Sequence, residues 1–407
     1  MTIPDTTLAR RGPRPSQRAQ AVAPFWVMQV AEEAAALARD PAPGAPRLLK
    51  LNIGEPDVGA PEAVRAAAEQ VLRAGRTAYT PALGIEPLRA AIADWYRQRW
   101  GLAVEPRRIA VTAGASAALQ LASLALFDVG DEVLLPDPCY PCNRQILTSL
   151  GVQATLLPTT AATRYQPSAG QIEAAWGART RGVMLASPSN PTGTAIAPAA
   201  LHAALQAVRR RGGALVVDEI YLGLTFDAHA AQPALALGED VISVNSFSKY
   251  WGMTGWRLGW LVLPTALVEP VERLAQNHAI CASAVAQHAA LACFEPATLA
   301  ACEQRRAVYA QRAQRFAAGL QALGFAVPVA PDGAFYVWAD AGEPMARVGA
   351  ADSMAFVRQM MHEVRVVATP STDFGQADGG RCVRFSVATA DADLDEALQR
   401  LRRWLLG

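Results

Sequence analysis

Through the middle of the chain, short apolar runs alternate with longer stretches in which alanine, leucine and polar residues recur at helical spacing. The runs Ile109–Thr112, Glu132–Pro136, Ala154–Leu157, Gly182–Ala186, Ala214–Asp218, Val241–Asn245 and Leu258–Leu263 are mostly apolar on both faces. Strands that read this way are buried on both sides. Helices are expected between them, at Ala115–Leu126, Pro198–Arg211 and Thr265–Phe294 among others. Buried strands alternating with helices predict an α/β fold, with a mostly parallel seven-stranded sheet sandwiched by helices. In such sheets ligands bind beyond the carboxyl ends of the strands. The sharpest polar clusters of this sequence fall there.

The pattern changes after residue 294. A charged helix at Cys302–Leu323 is followed by a strand at Phe335–Ala339, a helix near Ser353–Glu363, a strand at Arg381–Ser386 and a last helix at Asp391–Leu405. That mixture reads as a smaller α+β domain. At the other end, residues 1–24 begin with a stretch rich in Arg, Pro, Ser and Thr and read as a flexible arm, a transit peptide being the weaker alternative because proline is frequent and no amphipathic period stands out. A helix is expected over Phe25–Ala38, then a Pro/Gly break at Pro41–Pro46. The expected division is an arm (1–24), a segment packing with the small domain (25–51), a large domain (52–294) and a small one (295–407).

Composition narrows the classes. With 52% hydrophobic and 18% charged residues in 407, the chain is an ordered globular protein. A net charge of +1 without a basic stripe argues against nucleic acid or an anionic membrane as partner. No apolar run approaches the roughly 18 residues that span a bilayer, and the N-terminus lacks the apolar core of a secretory signal. The six cysteines are scattered, which fits reduced thiols in a cytoplasm. Cys139 and Cys142 form a C-x-x-C, but a structural zinc wants a second such pair. Their segment, from Pro136 to Pro141, reads as a rigid proline loop, and chance spacing is favoured over a redox role. No metal-ligand spacing links His202, His229, His278, His288 and His362. His278 and His288 are expected on one helix, as packing or surface residues.

Lysine carries the sharpest chemical signal. Of 37 lysines plus arginines only Lys50 and Lys249 are lysine, leaving 35 arginines. Arginine stays protonated in a protein, whereas a lysine amine can be freed by burial or by cationic neighbours and can then attack a carbonyl. Lys249 stands in Ser246-Phe247-Ser248-Lys249, shortly before Arg257. Two hydroxyls, an amine and a guanidinium suit a phosphorylated aldehyde. Asp218 closes an apolar strand and could face a ring nitrogen, or simply cap the next helix. Tyr221, three residues on, could reach the same cavity, or fill the core. Asn190 sits in a turn-forming Ser-Pro-Ser-Asn-Pro-Thr-Gly segment and could donate to a phenolic oxygen. Gly114, Ala115 and Ser116 open a helix directly after a strand, where backbone amides bind phosphate or merely start the helix. Tyr140 follows the proline loop and could stack on a ring. Together these meet the needs of a pyridoxal phosphate site.

Ser-x-Ser-Lys with Gly-Trp-Arg-Leu-Gly, Asn-Pro-Thr-Gly, Asp-Glu-Ile-Tyr and Asn-Ile-Gly-Glu-Pro-Asp resemble the class I/II, fold-type I pyridoxal-phosphate aminotransferases, from about Pro24 to the C-terminus. The resemblance implies that Lys249 holds the cofactor as a Schiff base, and that Asp218 pairs with its pyridine nitrogen. It implies Tyr221 and Asn190 at the phenolic oxygen, and Tyr140 stacked on the ring. Arg257, Ser246, Ser248 and the turn at Gly114, Ala115 and Ser116 would hold the phosphate. It further implies a homodimer in which Tyr79 serves the neighbouring subunit's site. Arg384 would clamp the substrate α-carboxylate, and Gly54 belongs to the loop that closes over it. The implied reaction moves an amino group between a 2-amino acid and a 2-oxo acid by a ping-pong cycle.

One departure is Pro370-Ser371-Thr372-Asp373-Phe374-Gly375, where the family often has glycine after the proline. It brings Asp373 to the expected cavity mouth. No clear second arginine for a dicarboxylate side chain stands out. A C–S β-lyase uses the same constellation and is the nearest rival. A non-catalytic sensor, with this fold behind a DNA-binding domain, is remote, since about 25 residues precede the fold.

Overall fold

The computed structural model describes residues 13–39, 44–227 and 232–407. Seven strands form one sheet, in the spatial order Ile109–Thr112, Gly259–Val262, Ile242–Ser246, Ala214–Asp218, Thr180–Ala186, Glu132–Asp137 and Gln153–Pro158. Only Gly259–Val262 runs against its neighbours. The carboxyl ends of the other strands therefore share one edge. Alternate residues feed two different cores. Leu134, Val183, Leu185, Leu215 and Val217 pack with Leu201, Leu205 and Val208 of the helix Pro198–Arg210. Val133, Leu135, Met184 and Val216 pack on the opposite face, with Leu119 and Ala122 of the helix Ala115–Leu126 and Val271 of Thr265–His278. Burial on both faces is why these strands carry no polar alternation.

The expected strands all form, Ile109–Thr112 and Ala214–Asp218 with the expected ends and the others with ends shifted by one or two residues. The single helix expected over Thr265–Phe294 does not. It stops at His278, where Ala279 leaves helical geometry and Ile280 adopts a left-handed backbone (φ 63°). A second helix, Ala284–Ala289, starts under the Ser283 hydroxyl, which accepts from the Ala286 N–H at 3.3 Å, and a 3₁₀ turn runs from Ala290 to Phe294. Alanine spacing continues across the break, so periodicity alone does not see it. His278 and His288 consequently lie on separate helices. The helix expected from Cys302 begins earlier, at Pro296, and runs to Gln321. All six cysteines are unpaired.

The second lobe holds an antiparallel sheet of Thr369–Pro370, Cys382–Ser386 and Tyr336–Asp340. The helices Pro296–Gln321, Ser353–Glu363 and Asp391–Leu406 surround it. The N-terminal segment joins this lobe. Leu49–Lys50 pairs in parallel with Val366–Val367, and the helix Trp26–Arg39 is tied down by Glu33 to Arg358 and by the Arg365 guanidinium on Leu37 O. Strands of two residues carry no periodic signal and were not expected. The arm is also less free than its composition suggests. Residues 1–12 and 40–43 lie outside the described residues, as does His229. Gln17–Ala21, however, is a helix capped by Ser16, and the Ala23 N–H donates to Gln145 Oε1 at 3.0 Å.

Candidate active site

Five turns leave the shared strand edge and converge on a cavity of about 480 Å³. Ala214–Asp218 delivers Asp218, and the turn behind it brings Tyr221. Thr180–Ala186 runs into the segment holding Asn190, and Ile242–Ser246 into Ser248 and Lys249. Glu132–Asp137 leads to Tyr140, and Ile109–Thr112 to Gly114 and the helix Ala115–Leu126. From the second lobe, Cys382–Ser386 adds Arg384, while Gly54 comes from the loop after Leu49–Lys50. Nine expected site residues line this one cavity: Gly54, Tyr140, Asn190, Asp218, Tyr221, Ser248, Lys249, Arg257 and Arg384.

The amine and the acid sit in tuned surroundings. Lys249 Nζ donates to Gly54 O at 2.6 Å. Burial lowers the Lys249 pKa to about 8; Glu55 opposes this, and Arg384 and Arg257 add to it. The amine is therefore far closer to its free form at neutral pH than an exposed lysine. Burial raises Asp218 to about 6, offset by the Ile220 N–H and the Lys249 charge. The Ile220 bond is long, at 3.3 Å, so the carboxylate keeps capacity for a stronger partner. Tyr221 stays protonated because burial holds its pKa far above the usual value.

One end of the cavity is an anion cradle. Ser246 Oγ lies 2.9 Å from Ser248 Oγ and holds it from behind the wall. Arg257 adopts a left-handed backbone (φ 52°), and its Nη1 donates to Thr254 O at 2.8 Å. A Cβ on Gly114 would stand 2.4 Å from Arg257 Nη2, and the Gly114 φ of 85° also disfavours a side chain. The guanidinium thus presses on the start of the helix Ala115–Leu126, where free backbone amides favour a phosphate. Ala115 and Ser116 belong to this helix start; neither lines the cavity wall, and Ser116 is exposed.

At the opposite end Arg384 is buried and aimed. Its Nη1 donates to Asn190 Oδ1 at 2.8 Å, and its Nη2 to Asn52 O at 2.8 Å and Thr369 Oγ1 at 3.1 Å. The Asn190 oxygen being taken, its amide nitrogen is the group left to donate. Arg384 Nε is buried with no hydrogen-bond partner among the described residues, as is Asn52 Oδ1. A buried guanidinium donor without a partner is costly unless a ligand satisfies it.

Sequence reasoning missed Tyr336. Its hydroxyl lies 2.7 Å from that of Tyr221, its ring lies 4.4 Å below the Arg384 guanidinium, and a Cβ on Gly54 would approach its oxygen to 3.0 Å. A tyrosine in an apolar strand carries no local signal that separates it from core. Also missed was the wall of Phe25, Val27, Met28 and Ala31 from the N-terminal helix, joined by Ile53. Tyr79 behaves differently from the rest. It is 80% exposed and lines no part of this cavity. The loop behind it is fixed by buried Gln287, which accepts from Ile85 N at 2.8 Å and donates to Thr80 Oγ1 at 2.8 Å.

Residues 46–401 match the family described as aminotransferase class I and II. The chain is a class I/II aminotransferase. It is 41% identical to a valine–pyruvate aminotransferase of Mycobacterium tuberculosis, over 94% of this chain and 97% of the relative. It is 32% identical to an aspartate/prephenate aminotransferase of Thermus thermophilus, over 96% and 98%. Among solved structures, an aminotransferase from Mycobacterium tuberculosis superposes with a TM-score of 0.91 at 40% identity, covering 97% of this chain and 99% of that one. The aspartate aminotransferase of Thermus thermophilus with maleate gives 0.88 at 31% identity, covering 96% and 100%. The aminotransferase is an enzyme of amino-group transfer, of a family that generally depends on pyridoxal phosphate. Among its described residues, no helix is long and apolar enough to cross a membrane.

Proposed function

We propose that this aminotransferase uses pyridoxal 5′-phosphate to move an amino group from an amino acid with a branched apolar side chain to a small 2-oxo acid such as pyruvate. The observation that carries the substrate class is the wall of Phe25, Val27, Met28, Ala31 and Ile53 in the same cavity as Arg384. Among the described residues of one chain, the arginines lining that cavity are Arg384 and Arg257, one at each proposed anion position, and neither is spare for a side-chain carboxylate. The name of the relative at 41% identity, which pairs valine with pyruvate, supports the same class.

The residues fit the cofactor. The Gly114–Arg257 contact, the Ser246–Ser248 pair and the helix start suit its phosphate, the under-satisfied Asp218 its ring nitrogen, and Tyr140 its face. When bound, the cofactor supplies an aldehyde and an electron-withdrawing ring. Lys249 would be the amine that holds that aldehyde, and its free Nζ would take the proton from the substrate α-carbon. Asp218 holds the proton on the ring nitrogen. Tyr221 and the Asn190 amide donate to the phenolic oxygen. Arg384 grips the substrate α-carboxylate, which fixes the direction of the Cα–H bond and favours proton removal over loss of carbon dioxide. Residues 25–51 and 295–407 form the lobe that carries this grip, and residues 52–294 the lobe that holds the cofactor. Tyr79, exposed here, completes the phosphate site of a second copy, so the working unit is a homodimer. Its working compartment is the cytoplasm.

A panel of amino donors tested against pyruvate and 2-oxoglutarate checks the reading. Valine-like donors with pyruvate should rank first. Preference for aspartate or glutamate would overturn the apolar donor, and release of pyruvate and ammonia from a cysteine-type donor without any acceptor would favour elimination.

A further inference from the structure

The helix Trp26–Arg39 closes one side of the cavity, yet among the described residues no strand precedes it to hold its start. Such a segment needs a fastening if its side chains are to form a fixed wall. Asp373 supplies one across 347 residues of sequence: Oδ1 accepts from Trp26 N at 3.1 Å. Oδ2 accepts from Val27 N, also at 3.1 Å. A carboxylate on the first free N–H groups of a helix satisfies them and complements the helix dipole. Asp373 is only 1% exposed and does not line the cavity, so its carboxylate is committed to the helix and not to a ligand.

The turn that carries Asp373 is itself braced. Arg144 Nη2 donates to Asp373 O at 3.1 Å, and the next residue, Phe374, lies under Arg384 with its ring centre 5.0 Å from the guanidinium carbon. One turn thus backs the carboxylate grip and pins the start of the apolar wall. Immediately beside the pinned amides, Phe25 meets the Tyr140 ring edge-on at 6.0 Å, and Val27 and Met28 face the cavity. The other end of the helix is fastened through Glu33 and Leu37.

We propose that Asp373 is a specificity-determining positioning residue: by capping the helix Trp26–Arg39 it fixes Phe25, Val27 and Met28 as the surface that selects the donor side chain. The selectivity part rests on the apolar-donor reading above. Removing the cap leaves two N–H groups without an acceptor and frees the wall to move away. Donors that depend on the wall lose affinity, and a donor too short to reach it is barely affected.

The test uses the holoenzyme and two readouts. Hydrogen exchange at the amides of residues 26–30 reports the cap. The KM values of valine and alanine, each with saturating pyruvate, report the wall. In Asp373→Ala, protection at these amides should fall and the valine KM should rise about tenfold, the size of one lost cap, while the alanine KM moves less than about threefold. Trp26→Pro approaches the contact from the other side, because proline at the first helical position removes one donor and keeps the helix. It should reproduce the valine effect, whereas Trp26→Ala, which keeps its N–H, should not. Unchanged exchange in Asp373→Ala, or equal rises for valine and alanine, overturns the proposal. Lost protection in an enzyme whose parent prefers dicarboxylic donors supports the cap and refutes the apolar-donor reading, which separates the two failures.

Discussion

The floor and the roof of the cavity are built by opposite means. The floor is Asp218, which ends a buried strand, and Tyr221, Asn190, Ser248 and Lys249, each two to four residues past the end of a strand of the same sheet. The backbone positions of these residues are inherited from strand register, and distant contacts such as Lys249 to Gly54 O and Tyr221 to Tyr336 only orient their side-chain tips. The roof is Phe25, Val27 and Met28, together with Tyr336 and Arg384 from the second lobe. These meet only because Asp373, Glu33 and Leu37 tie the N-terminal helix to a lobe that begins nearly three hundred residues later. Rigid sheet edges hold groups that must keep their place through every turnover. The tied N-terminal helix holds groups that have only to recognise a side chain. Lesions in the floor should therefore cost rate, and lesions in the N-terminal part of the roof should cost selection.

The largest effect is expected at Lys249. Lys249→Arg keeps the charge and removes the nucleophile, so turnover should be lost and borohydride should no longer fix the cofactor to the chain. Activity at the parent level, or labelling at Lys50, would show that the floor is misassigned. Asp218→Asn comes next, with cofactor retained and a rate loss of several orders of magnitude. A loss of tenfold or less, about 1.4 kcal/mol in barrier, would make Asp218 a structural residue. The same residue should mark the cofactor-free protein. Burial holds Asp218 at about 6, above its ordinary value, so folding takes up a proton between roughly pH 4 and pH 6 and stability falls as pH rises through that window. Melting curves of the parent should show this slope, and those of Asp218→Asn should lack its contribution.

Tyr79, proposed to serve the floor of a second copy, sharpens the comparison because it is absent from its own cavity. Inactive Lys249→Ala and inactive Tyr79→Ala chains, mixed and exchanged, should recover about a quarter of parent activity, since half the dimers are mixed and one site in each is intact. Verified exchange with no recovery would remove Tyr79 from the neighbouring site. The smallest effect is expected at Tyr336, which touches both halves. Tyr336→Phe removes the hydroxyl partner of Tyr221 and keeps the ring under Arg384. A neutral hydrogen bond of this kind is worth about 1 kcal/mol, so kcat/KM should fall by up to about tenfold. A loss approaching that of Asp218→Asn would mean that the lobes do not divide the work as described.

What could be read directly from the residues follows the same line. Seven apolar runs located the seven sheet strands because all but the edge strand Gln153–Pro158 are covered on both faces, and that leaves an unbroken local pattern. The chemistry at their ends was legible because a strand end and the turn after it are contiguous in sequence. The lone motif lysine and its neighbours pointed to the cavity for that reason. Ser246 and Gly114 proved to lie just behind its wall, and Tyr79 outside it. Asp373 illustrates what was not legible. In sequence it is an acid at an expected cavity mouth, in a segment that departs from the usual glycine. Only the folded chain makes it a helix cap, because its partners are backbone N–H groups, which every residue but proline possesses and which therefore leave no mark on composition. The same holds for Tyr336, whose hydroxyl partner is 115 residues away, and for the break after His278, which a backbone angle decides inside an alanine-rich run. Side-chain type and spacing determined the strands and the reactive groups they deliver. Long-range contacts made through the backbone decided which surface those groups would face.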